Sequence, residues 1–411
     1  MAETLRPGTA DQLREAIAWA VAGEKPLEVV GAGTNRGLGR PMDCEHTLEL
    51  AGLSGIVNYE PEELVISALA GTPLAEIEAA LAEHGQMLAF EPSDLGPLWG
   101  APPGGATLGG TIACNLSGPR RFKAGAARDH VLGIKGVSGR GEAFKSGGRV
   151  VKNVTGYDLS KLLCGSYGTL AVLSEITVRV VPKPQKTRTV LAFGLALDGA
   201  GLAMERAANA TLDVTGLAHL PREIAGRSAV SYVAGAGASV TAFRLEGPAD
   251  SVLERTKALR AALEETWSLD CSVEELHGHN SATLWSEIGG VPAFAAAEFA
   301  GHNLWRLSVP PAAGTTPALA DLATHAYFDW AGGLIWLAVP SAADAGHETV
   351  RAAVAAAGGG HATLIRAPDE VRAVVPVFQP QEEALAALSA RVKASFDPRG
   401  ILNPGRMAVG V

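Results

Sequence analysis

The hydrophobic positions near the start of the chain repeat with the period of a helix. Leu13, Ile17 and Val21 follow one another at intervals of four residues, behind Thr9 and Gln12 at the spacing of a capping box. A capping box satisfies backbone N–H groups that the first turn of a helix leaves without partners. The pattern therefore predicts an amphipathic helix that begins just after Thr9.

Short apolar runs bounded by turn residues follow, and they predict strands that alternate with helices. Residues 26–30 and 64–69 are such runs. A second amphipathic helix opens at Pro73, carries an apolar residue at every third or fourth position, and ends at Gly85. The prolines in 182–184 are the strongest linker signal in the chain, and the character of the sequence changes after them.

Beyond this linker, apolar strands alternate with alanine-rich helices, which is typical of an α+β domain such as a split βαβ sandwich. The predicted strands are 189–195, 239–245, 304–309 and 334–339, and the predicted helices are 250–265, 316–326, 345–357 and 381–396. In the last of these helices, Leu385, Leu388, Val392 and Phe396 recur at helical spacing, which predicts an apolar face.

Length and composition favour a globular protein of two domains. A chain of 411 residues is long for one hydrophobic core, and 47% hydrophobic with 19% charged residues is close to the globular average. The 34 lysines and arginines against 43 aspartates and glutamates give a net charge of −9. Because nucleic-acid binders usually carry a basic excess, we expect no nucleic-acid partner. Any phosphate must be held locally, by backbone N–H groups and a few cations.

The four cysteines lie at least fifty residues apart and have no spacing typical of a zinc or iron–sulfur site. Scattered thiols are typical of a reducing compartment, and the N-terminus has no apolar segment of the signal-peptide kind. We therefore expect a cytoplasmic protein without a metal site.

A glycine-rich segment over residues 31–40 follows the first predicted strand. A strand followed by Gly-x-Gly is one feature of a Rossmann turn, but further glycines and Pro41 prevent the helix that such a turn must open. Two interpretations are left. The segment is either a purely structural turn or an extended nest whose backbone N–H groups converge on a pyrophosphate, with donors added by Thr34, Asn35 and Arg36.

Two more glycine-punctuated segments occur farther along. Residues 102–115 combine glycines with small hydroxyl and amide side chains, and the third segment comprises 151–159 and 165–170. Glycine allows a backbone to approach a ligand closely. Three such segments within about 150 residues predict one large, elongated ligand rather than three unrelated turns.

Several segments together resemble a known family. In order and spacing, the chain resembles the FAD-linked oxidases of the vanillyl-alcohol oxidase superfamily over residues 31–40, 92–93, 106–115, 128–133, 152–159, 165–176 and 397–405. More narrowly, it resembles the FAD-binding subunit of bacterial glycolate oxidase over 58–66, 77–81, 85–88, 113–114, 118–121 and 360–366. The resemblance is strong over 27–184 and 360–407, and loose over 185–359.

The resemblance implies a fold of the α+β class in three parts. A two-subdomain FAD-binding domain of the PCMH type is expected over residues 1–184. An α+β cap domain with an antiparallel sheet is expected over 185–380, and a C-terminal helix and tail over 381–411 would return to the FAD domain.

The same resemblance implies FAD wedged between the two subdomains. Residues 31–37 would cradle the pyrophosphate, the backbone at Ile176 would meet the adenine end, and Asn403 would approach the isoalloxazine. The FAD-binding residues implied in this way are Gly31, Ala32, Gly33, Thr34, Asn35, Arg36, Gly37, Pro92, Ala106, Thr107, Gly109, Gly110, Ala113, Asn115, Ile176 and Asn403. Several relatives attach FAD covalently through a histidine in the first loop. Residues 31–40 contain no histidine, so we expect non-covalent FAD.

The resemblance further implies one subunit of a glycolate oxidase, or glycolate dehydrogenase, complex that oxidises glycolate to glyoxylate. The expected partners are a larger homologous FAD-containing subunit, an iron–sulfur subunit and a glycolate-like small hydroxy acid, and any association with a membrane would run through the complex. Catalytic relatives carry a histidine-rich metal motif in the cap domain that this sequence does not have. We therefore expect the substrate-binding machinery to lie mainly in the larger subunit, and no catalytic residue is assigned.

Other interpretations of the same residues stay open. Oxidation of a 2-hydroxy acid needs a cation for the carboxylate and a base for the hydroxyl proton. Arg120 and Arg121 are candidate cations, and His277, His279 and His302 are candidate bases, although each is of a type that is also common in purely structural positions. The chain is then either a stand-alone FAD-dependent oxidase of another small hydroxy acid or polyol, or a flavin-binding scaffold.

Overall fold

The computed structural model describes residues 3–149, 156–320, 322 and 325–410. By its contacts the chain divides into two compact units. The first unit comprises Met1–Ser117, Gly125–Lys183 and Pro376–Val411, and the second comprises Gly118–Ala124 and Pro184–Val375. The segment 118–124, which the sequence analysis placed in the first domain, thus belongs by its contacts to the second unit. Residues 151–155 of the third glycine-punctuated segment lie outside the described residues.

Strands and helices alternate along much of the described chain. The strands are β1 (Glu3–Leu5), β2 (Leu27–Val30), β3 (His46–Glu49), β4 (Ile56–Glu60), β5 (Val65–Leu69), β6 (Gln86–Met87), β7 (Val131–Ser138), β8 (Ala143–Gly147), β9 (Ala171–Arg179), β10 (Val181–Pro182), β11 (Lys186–Phe193), β12 (Val214–Leu220), β13 (Val240–Gly247), β14 (Ser272–His277), β15 (His302–Ser308), β16 (Ala326–Asp329), β17 (Leu334–Pro340) and β18 (His361–Arg366). The α-helices are α1 (Ala10–Gly23), α2 (Leu74–Glu83), α3 (Leu108–Cys114), α4 (Arg121–Ala124), α5 (Ala127–His130), α6 (Leu159–Leu163), α7 (Leu197–Asn209), α8 (Arg222–Ala225), α9 (Ser231–Ala234), α10 (Ala249–Ala261), α11 (Gly278–Gly290), α12 (Pro317–Ala320), α13 (His347–Ala356), α14 (Asp369–Val374) and α15 (Glu383–Phe396).

The first unit contains two main sheets. A small parallel sheet has the strand order β1–β3–β2, and an antiparallel sheet has the order β4–β5–β9–β7–β8. Helix α1 begins after Thr9, whose side chain accepts a hydrogen bond from the N–H of Gln12, and it buries Leu13 and Ile17. The helix predicted from the hydrophobic period is therefore confirmed, and its buried face belongs to the core of this unit.

The second unit is built on one antiparallel sheet of eight strands, in the order β14–β11–β13–β12–β16–β17–β15–β18. Strands β11 and β13 pair along their whole length, from Lys186 opposite Gly247 to Phe193 opposite Val240. Helices α7 and α10 bury residues such as Met204 against this sheet. The antiparallel sheet and its helices confirm the α+β class predicted for this part of the chain.

One predicted helix, 316–326, is wrong at its end. Helix α12 covers Pro317–Ala320, residues 321, 323 and 324 of the predicted helix lie outside the described residues, and Ala326–Asp329 form the strand β16, paired with β17 and touching β12 in the interior of the sheet. Tyr327 and Phe328 are aromatic residues that favour a buried strand, and this tertiary pairing outweighs the alanine-rich pattern that precedes them. Of the helices in the described ranges, none has the length and hydropathy that a bilayer span needs.

Candidate cofactor site

One cleft in the first unit gathers backbone and side chains from all three glycine-punctuated segments and from the C-terminal tail. Its volume is about 710 Å³, counting the space at its mouth, which is in the range of small-molecule sites in proteins. The lining residues are Val29, Val30, Gly31, Ala32, Gly33, Thr34, Asn35, Arg36, Leu50, Ala70, Thr107, Gly109, Gly110, Ala113, Cys114, Tyr167, Gly168, Ala171, Val172, Leu173, Asn403 and Arg406.

The first wall of the cleft is the loop that follows strand β2. Residues 31–40 form turns and bends rather than the helix that a Rossmann turn would open. Gly33 has a φ of +82°, a conformation that glycine adopts without strain, and its carbonyl accepts a hydrogen bond from the N–H of Arg36 at 3.1 Å. The backbone here is therefore compact and presents small residues to the cleft.

The second wall is formed by Thr107 and helix α3. It packs so closely against the first wall and the end of strand β5 that two glycines are needed. A Cβ on Gly31 would collide with Oγ1 of Thr107, the residue before helix α3. A Cβ on Gly109 would lie 2.7 Å from the carbonyl oxygen of Ala70, to which the N–H of Gly109 donates. The small residues of this segment thus allow two loops and a strand end to meet at one place.

The third wall is the loop before strand β9. The N–H of Tyr167 donates to the carbonyl of Ala113 at 2.9 Å, which joins this loop to the second wall. Gly168 has a φ of +69°, and a Cβ there would lie 2.8 Å from Nδ2 of Asn403. The loop therefore meets the C-terminal tail at a point where a side chain would not fit.

The C-terminal tail closes the cleft through Asn403 and Arg406. The Oδ1 atom of Asn403 accepts a hydrogen bond from the N–H of Val29 at 2.7 Å, and its Nδ2 donates to the carbonyl of Tyr167 at 2.7 Å. One amide side chain thus joins the first and third walls. The Nη1 atom of Arg406 donates to the carbonyl of Arg36 at 2.9 Å, so the tail also holds the first loop.

Two guanidinium groups and one carboxylate give the cleft its local charge. Nε of Arg36 donates to both carboxylate oxygens of Glu28, at 2.8 and 2.9 Å. This hydrogen bond is the main reason why the pKa of Arg36 is raised, although burial opposes the increase. Nη2 of Arg406 lies 3.7 Å from the same carboxylate. Two guanidinium groups against one carboxylate leave a net positive charge beside the cleft, where a diphosphate would need it.

Cys114 contributes a neutral side chain to the second wall. Burial raises the pKa of its thiol to about 12, against the opposing effect of Arg406, so it is protonated at pH 7. The cleft therefore offers a ligand small side chains and nearby guanidinium groups, with no thiolate from Cys114. This combination fits an elongated molecule with a diphosphate, which can lie along backbone that side chains would otherwise cover.

Comparisons with known proteins agree with this geometry. A family model described as an FAD binding domain matches residues 2–147. The chain is 36% identical over 397 residues to the glycolate oxidase subunit GlcE of Escherichia coli (strain K12), and the match covers 96% of each chain. The chain belongs to the GlcE family. It is accordingly an FAD-linked oxidoreductase subunit, and FAD is its cofactor.

Other relatives match only part of the GlcE-family chain or only its fold. It is 29% identical over 197 residues to the glycolate oxidase subunit GlcD of Bacillus subtilis (strain 168), covering 48% of this chain and 40% of that protein. A structure of p-cresol methylhydroxylase with bound substrate is similar with a TM-score of 0.74 at 14% identity, over 99% of this chain and 88% of that one. A structure of alkyldihydroxyacetonephosphate synthase is similar with a TM-score of 0.69 at 15% identity, over 98% and 75%. At these identities the structures show the fold alone, and that fold confirms the predicted PCMH-type FAD-binding class.

The cleft of this GlcE-family chain brings together eleven of the sixteen residues that the resemblance implied for FAD. They are Gly31, Ala32, Gly33, Thr34, Asn35, Arg36, Thr107, Gly109, Gly110, Ala113 and Asn403. The structure describes which residues line the cleft, and their contact with FAD stays a prediction.

The other five implied residues lie outside the lining of the cleft. Gly37 packs where a Cβ would collide with Trp99, and Pro92 follows a residue in the left-handed region. Ala106 is buried beside Thr107, with its carbonyl accepting from helix α2. Asn115 ends helix α3 and accepts from the N–H of Arg128, and Ile176 is fully buried in strand β9 between two neighbouring strands. Their assignment to FAD likewise stays a prediction.

Sequence reasoning missed some residues that line the cleft. Arg406 is the clearest, since it is a buried cation in a tail that was recognised but from which Asn403 alone was assigned. Tyr167 and Gly168 fall in a segment that was recognised as glycine-punctuated. The run of turn residues around them was the signal that could have identified them. It predicted a loop, and no single residue of that loop was assigned to the site.

The candidate catalytic residues of the sequence analysis have structural partners in the second unit. Arg120 forms two hydrogen bonds with Glu246, at 3.0 and 2.7 Å. His279 is exposed on helix α11, and its Nε2 atom lies 3.4 Å from Oγ1 of Thr283. The ring of His302 packs against that of Phe299. Within the described ranges, no group of three histidine, cysteine, aspartate or glutamate side chains is arranged to hold a metal ion.

Proposed function

We propose that this chain is the FAD-binding subunit of a glycolate oxidase, or glycolate dehydrogenase, complex. It would take part in the oxidation of glycolate to glyoxylate and pass electrons through its flavin to a partner iron–sulfur subunit. The observation that carries the proposal is the 36% identity to the E. coli GlcE subunit over 96% of both chains. Such coverage makes it a counterpart of the whole subunit rather than of the FAD domain alone.

The fit of the cleft to FAD supports the cofactor part of this proposal. The pyrophosphate would lie against the backbone of 31–36, where Thr34 and Asn35 add polar side chains and Arg36 and Arg406 add positive charge. The flavin side would lie against the small residues from Thr107 to Ala113. When bound, the flavin supplies an acceptor for the two electrons that oxidation of a hydroxyl carbon releases.

The rest of the oxidation requires groups that we propose lie mainly in a larger, homologous FAD-containing subunit. A 2-hydroxy acid loses a hydride from its α-carbon and a proton from its hydroxyl, so a cation must hold the carboxylate and a base must take the proton. In this chain the guanidinium of Arg120 is engaged by Glu246 and His279 is exposed. The similarity of about half of this chain to the B. subtilis GlcD subunit supports a related flavoprotein as the partner. We propose a cytoplasmic complex, with any membrane contact made through its other subunits.

Reconstitution tests this function. The chain is purified alone and, separately, after co-expression with the larger flavoprotein and the iron–sulfur protein, and glycolate-dependent reduction of a dye is measured for each. We expect the chain alone to be yellow, because it binds FAD, and to have little activity. The complex should be active, and omission of this chain should abolish turnover.

Two results would contradict the proposal in different ways. Full turnover of glycolate by the isolated chain would show a stand-alone oxidase. An active complex in which the flavin of this chain is never reduced by glycolate would show a flavin-binding scaffold. Rapid-scan absorption of the complete complex separates the two when this subunit carries a flavin analogue whose absorption bands differ from those of the FAD in the larger subunit.

A further inference from the structure

The last helix of the first unit, α15, contains a buried lysine close to the cleft. The side chain of Lys393 is 8% exposed. Its Nζ donates to the carbonyl of Thr169 at 2.7 Å and to that of Leu402 at 3.0 Å. A third hydrogen bond, at 2.7 Å, goes to Oδ2 of Asp397. One ammonium group thus joins the end of a helix, the loop before strand β9 and the C-terminal tail.

The aspartate of this pair shapes the turn between the helix and the tail. The side chain of Asp397 is fully buried. Its Oδ1 accepts from the N–H of Ile401 at 3.1 Å, and its Oδ2 accepts from the N–H of Leu402 at 2.8 Å. With the bond from Lys393, the buried carboxylate makes three charge-assisted hydrogen bonds, which is what a buried ion needs to be stable. The turn is therefore held at both of its ends.

The residue that leaves this turn is Asn403, which joins two walls of the cleft. Asn403 has a φ of +42°, in the left-handed region that a non-glycine residue enters only at a cost in free energy. Its own N–H donates to the carbonyl of Leu27 at 3.0 Å, and its side chain joins Val29 to Tyr167. Contacts on either side of Asn403 must maintain this conformation. The nearest in sequence are those of Leu402, whose backbone is bonded to Lys393 and Asp397.

We propose that Lys393 and Asp397 are a positioning pair for the FAD cleft and act through Asn403. The inference rests on the proposed function only in that FAD occupies this cleft. Lys393 holds Thr169, two residues after Tyr167, and also holds Leu402, the residue before Asn403. The pair therefore sets the distance between the tail and the third wall before the cofactor binds, and such preorganisation increases affinity.

The charges of the pair make its effect specific. Burial lowers the pKa of Lys393, whereas the hydrogen bond to Asp397 opposes the decrease. Removal of one partner leaves the other buried without its counter-ion, which disturbs the turn rather than leaving it in place. A helix that only packed through Val392 and Phe396 would not respond in this way.

A double-mutant cycle in the full chain tests whether Lys393 of this pair acts through Asn403. Lys393→Met, Asn403→Ala and the double variant are compared by the FAD dissociation constant, from flavin fluorescence, and by the absorption spectrum of the bound flavin. Each single variant should bind FAD about tenfold more weakly, with the same displacement of the flavin absorption bands. The double variant should bind no more weakly than Asn403→Ala, because both changes act through the same side chain.

Controls separate positioning from folding. Lys257→Met removes a lysine that is 72% exposed on helix α10, and it should leave FAD affinity unchanged. If Lys393→Met does not fold, Lys393→Gln replaces it in the cycle, since glutamine keeps a donor of similar reach without the charge. Additive losses of affinity would overturn the proposal. So would a lower melting temperature with an unchanged FAD dissociation constant and spectrum.

The test also distinguishes this inference from the assignment of the cleft. Gly110→Val places a side chain inside the cleft itself. If that variant binds FAD normally, the cleft is not the cofactor site and the proposed function loses its structural support. If it loses FAD while the cycle at Lys393 and Asn403 is additive, the cleft stands and only the positioning pair is wrong.

Discussion

Gly110 is the residue at which the assignment of the cleft is most directly tested. A Cβ at this position would lie 3.2 Å from Oγ1 of Thr107 and 3.5 Å from Nδ2 of Asn35, between the first and second walls. The methyl groups of Gly110→Val would occupy space that the cofactor needs, while the neighbouring atoms have to move only slightly. We expect FAD affinity to fall by about 10- to 100-fold, measured as flavin absorbance retained per protein after gel filtration.

A matched substitution isolates this effect from the general cost of valine. Gly301 is exposed in the second unit and a Cβ there meets no atom within 4 Å, so Gly301→Val should retain FAD. Equal flavin content in the two variants would contradict the placement of the cofactor in this cleft.

At the scale of single residues, the sequence predicts positions that depend on local backbone. Gly31 and Gly109 lie in segments whose dense glycine predicted a close approach, and a Cβ on either residue would collide with an atom of Thr107 or Ala70. The role of Arg406 depends on Arg36, which is far away in sequence, so no local pattern indicates it. Partners joined only by the fold are the part of the site that a single sequence does not reveal.

At the scale of elements, a buried ion pair fastens the segment 118–124 to strand β13. Glu246 accepts two hydrogen bonds from Arg120 and lies 3.7 Å from Arg244. Burial alone would raise the pKa of Glu246, but the charge of Arg244 and the hydrogen bonds from Arg120 outweigh it and lower the pKa from 4.5 to about 2. The carboxylate therefore stabilises the folded state above pH 4.5, and this contribution is lost as the pH falls towards 2.

Substitution of this carboxylate should change stability in a pH-dependent way. We expect Glu246→Gln to lower the free energy of unfolding by about 3 kcal/mol at pH 7, which corresponds to the change in pKa. The difference from the unmodified chain should shrink in denaturant titrations as the pH falls from 5 to 3. The exposed Glu254, paired with Lys257, supplies the control Glu254→Gln, for which we expect little change. A difference that is constant over this pH range would contradict the depressed pKa.

The final helix shows how far hydrophobic period predicts an element and its packing. The period predicted a helix over 381–396, and α15 covers Glu383–Phe396. Yet Leu385 and Leu388 of the predicted apolar face are 51% and 48% exposed, whereas Lys393 is buried. Period reports which residues share a face, but whether another element covers that face is decided by the fold. The polar contacts of Lys393, with Thr169 and the tail, could not be read from the helix alone.

At the scale of the whole molecule, the order of the segments was more informative than any one of them. The glycine loop at 31–40 alone did not separate a nest from a structural turn. Its recurrence with 106–115, 165–170 and the tail indicated one ligand, and the structure lines a single cleft with residues from all four. The chain has a net charge of −9, so a diphosphate must be held by cations at particular positions. Arg406 is such a cation, because its contacts with Arg36 and Glu28 fix it beside the cleft.

The chemistry of the cleft determines how the whole protein holds its flavin. A covalent bond to FAD needs a nucleophile within the cleft, such as a histidine nitrogen or a thiolate. No histidine occurs among the described residues that line it, and the pKa of about 12 keeps the Cys114 thiol protonated. The other nucleophile in the lining is the phenol of Tyr167, whose ring packs edge-on against that of Phe378. We therefore expect acid precipitation to release all of the flavin into the supernatant, as measured by absorption spectroscopy. Flavin fluorescence that stays with the protein band after denaturing electrophoresis would contradict this, and Cys114→Ser would then show whether the thiol is responsible.

Without a covalent bond, retention of the cofactor depends on the noncovalent closure of the cleft. The contacts of Asn403 with Val29 and Tyr167 should therefore control the affinity for FAD.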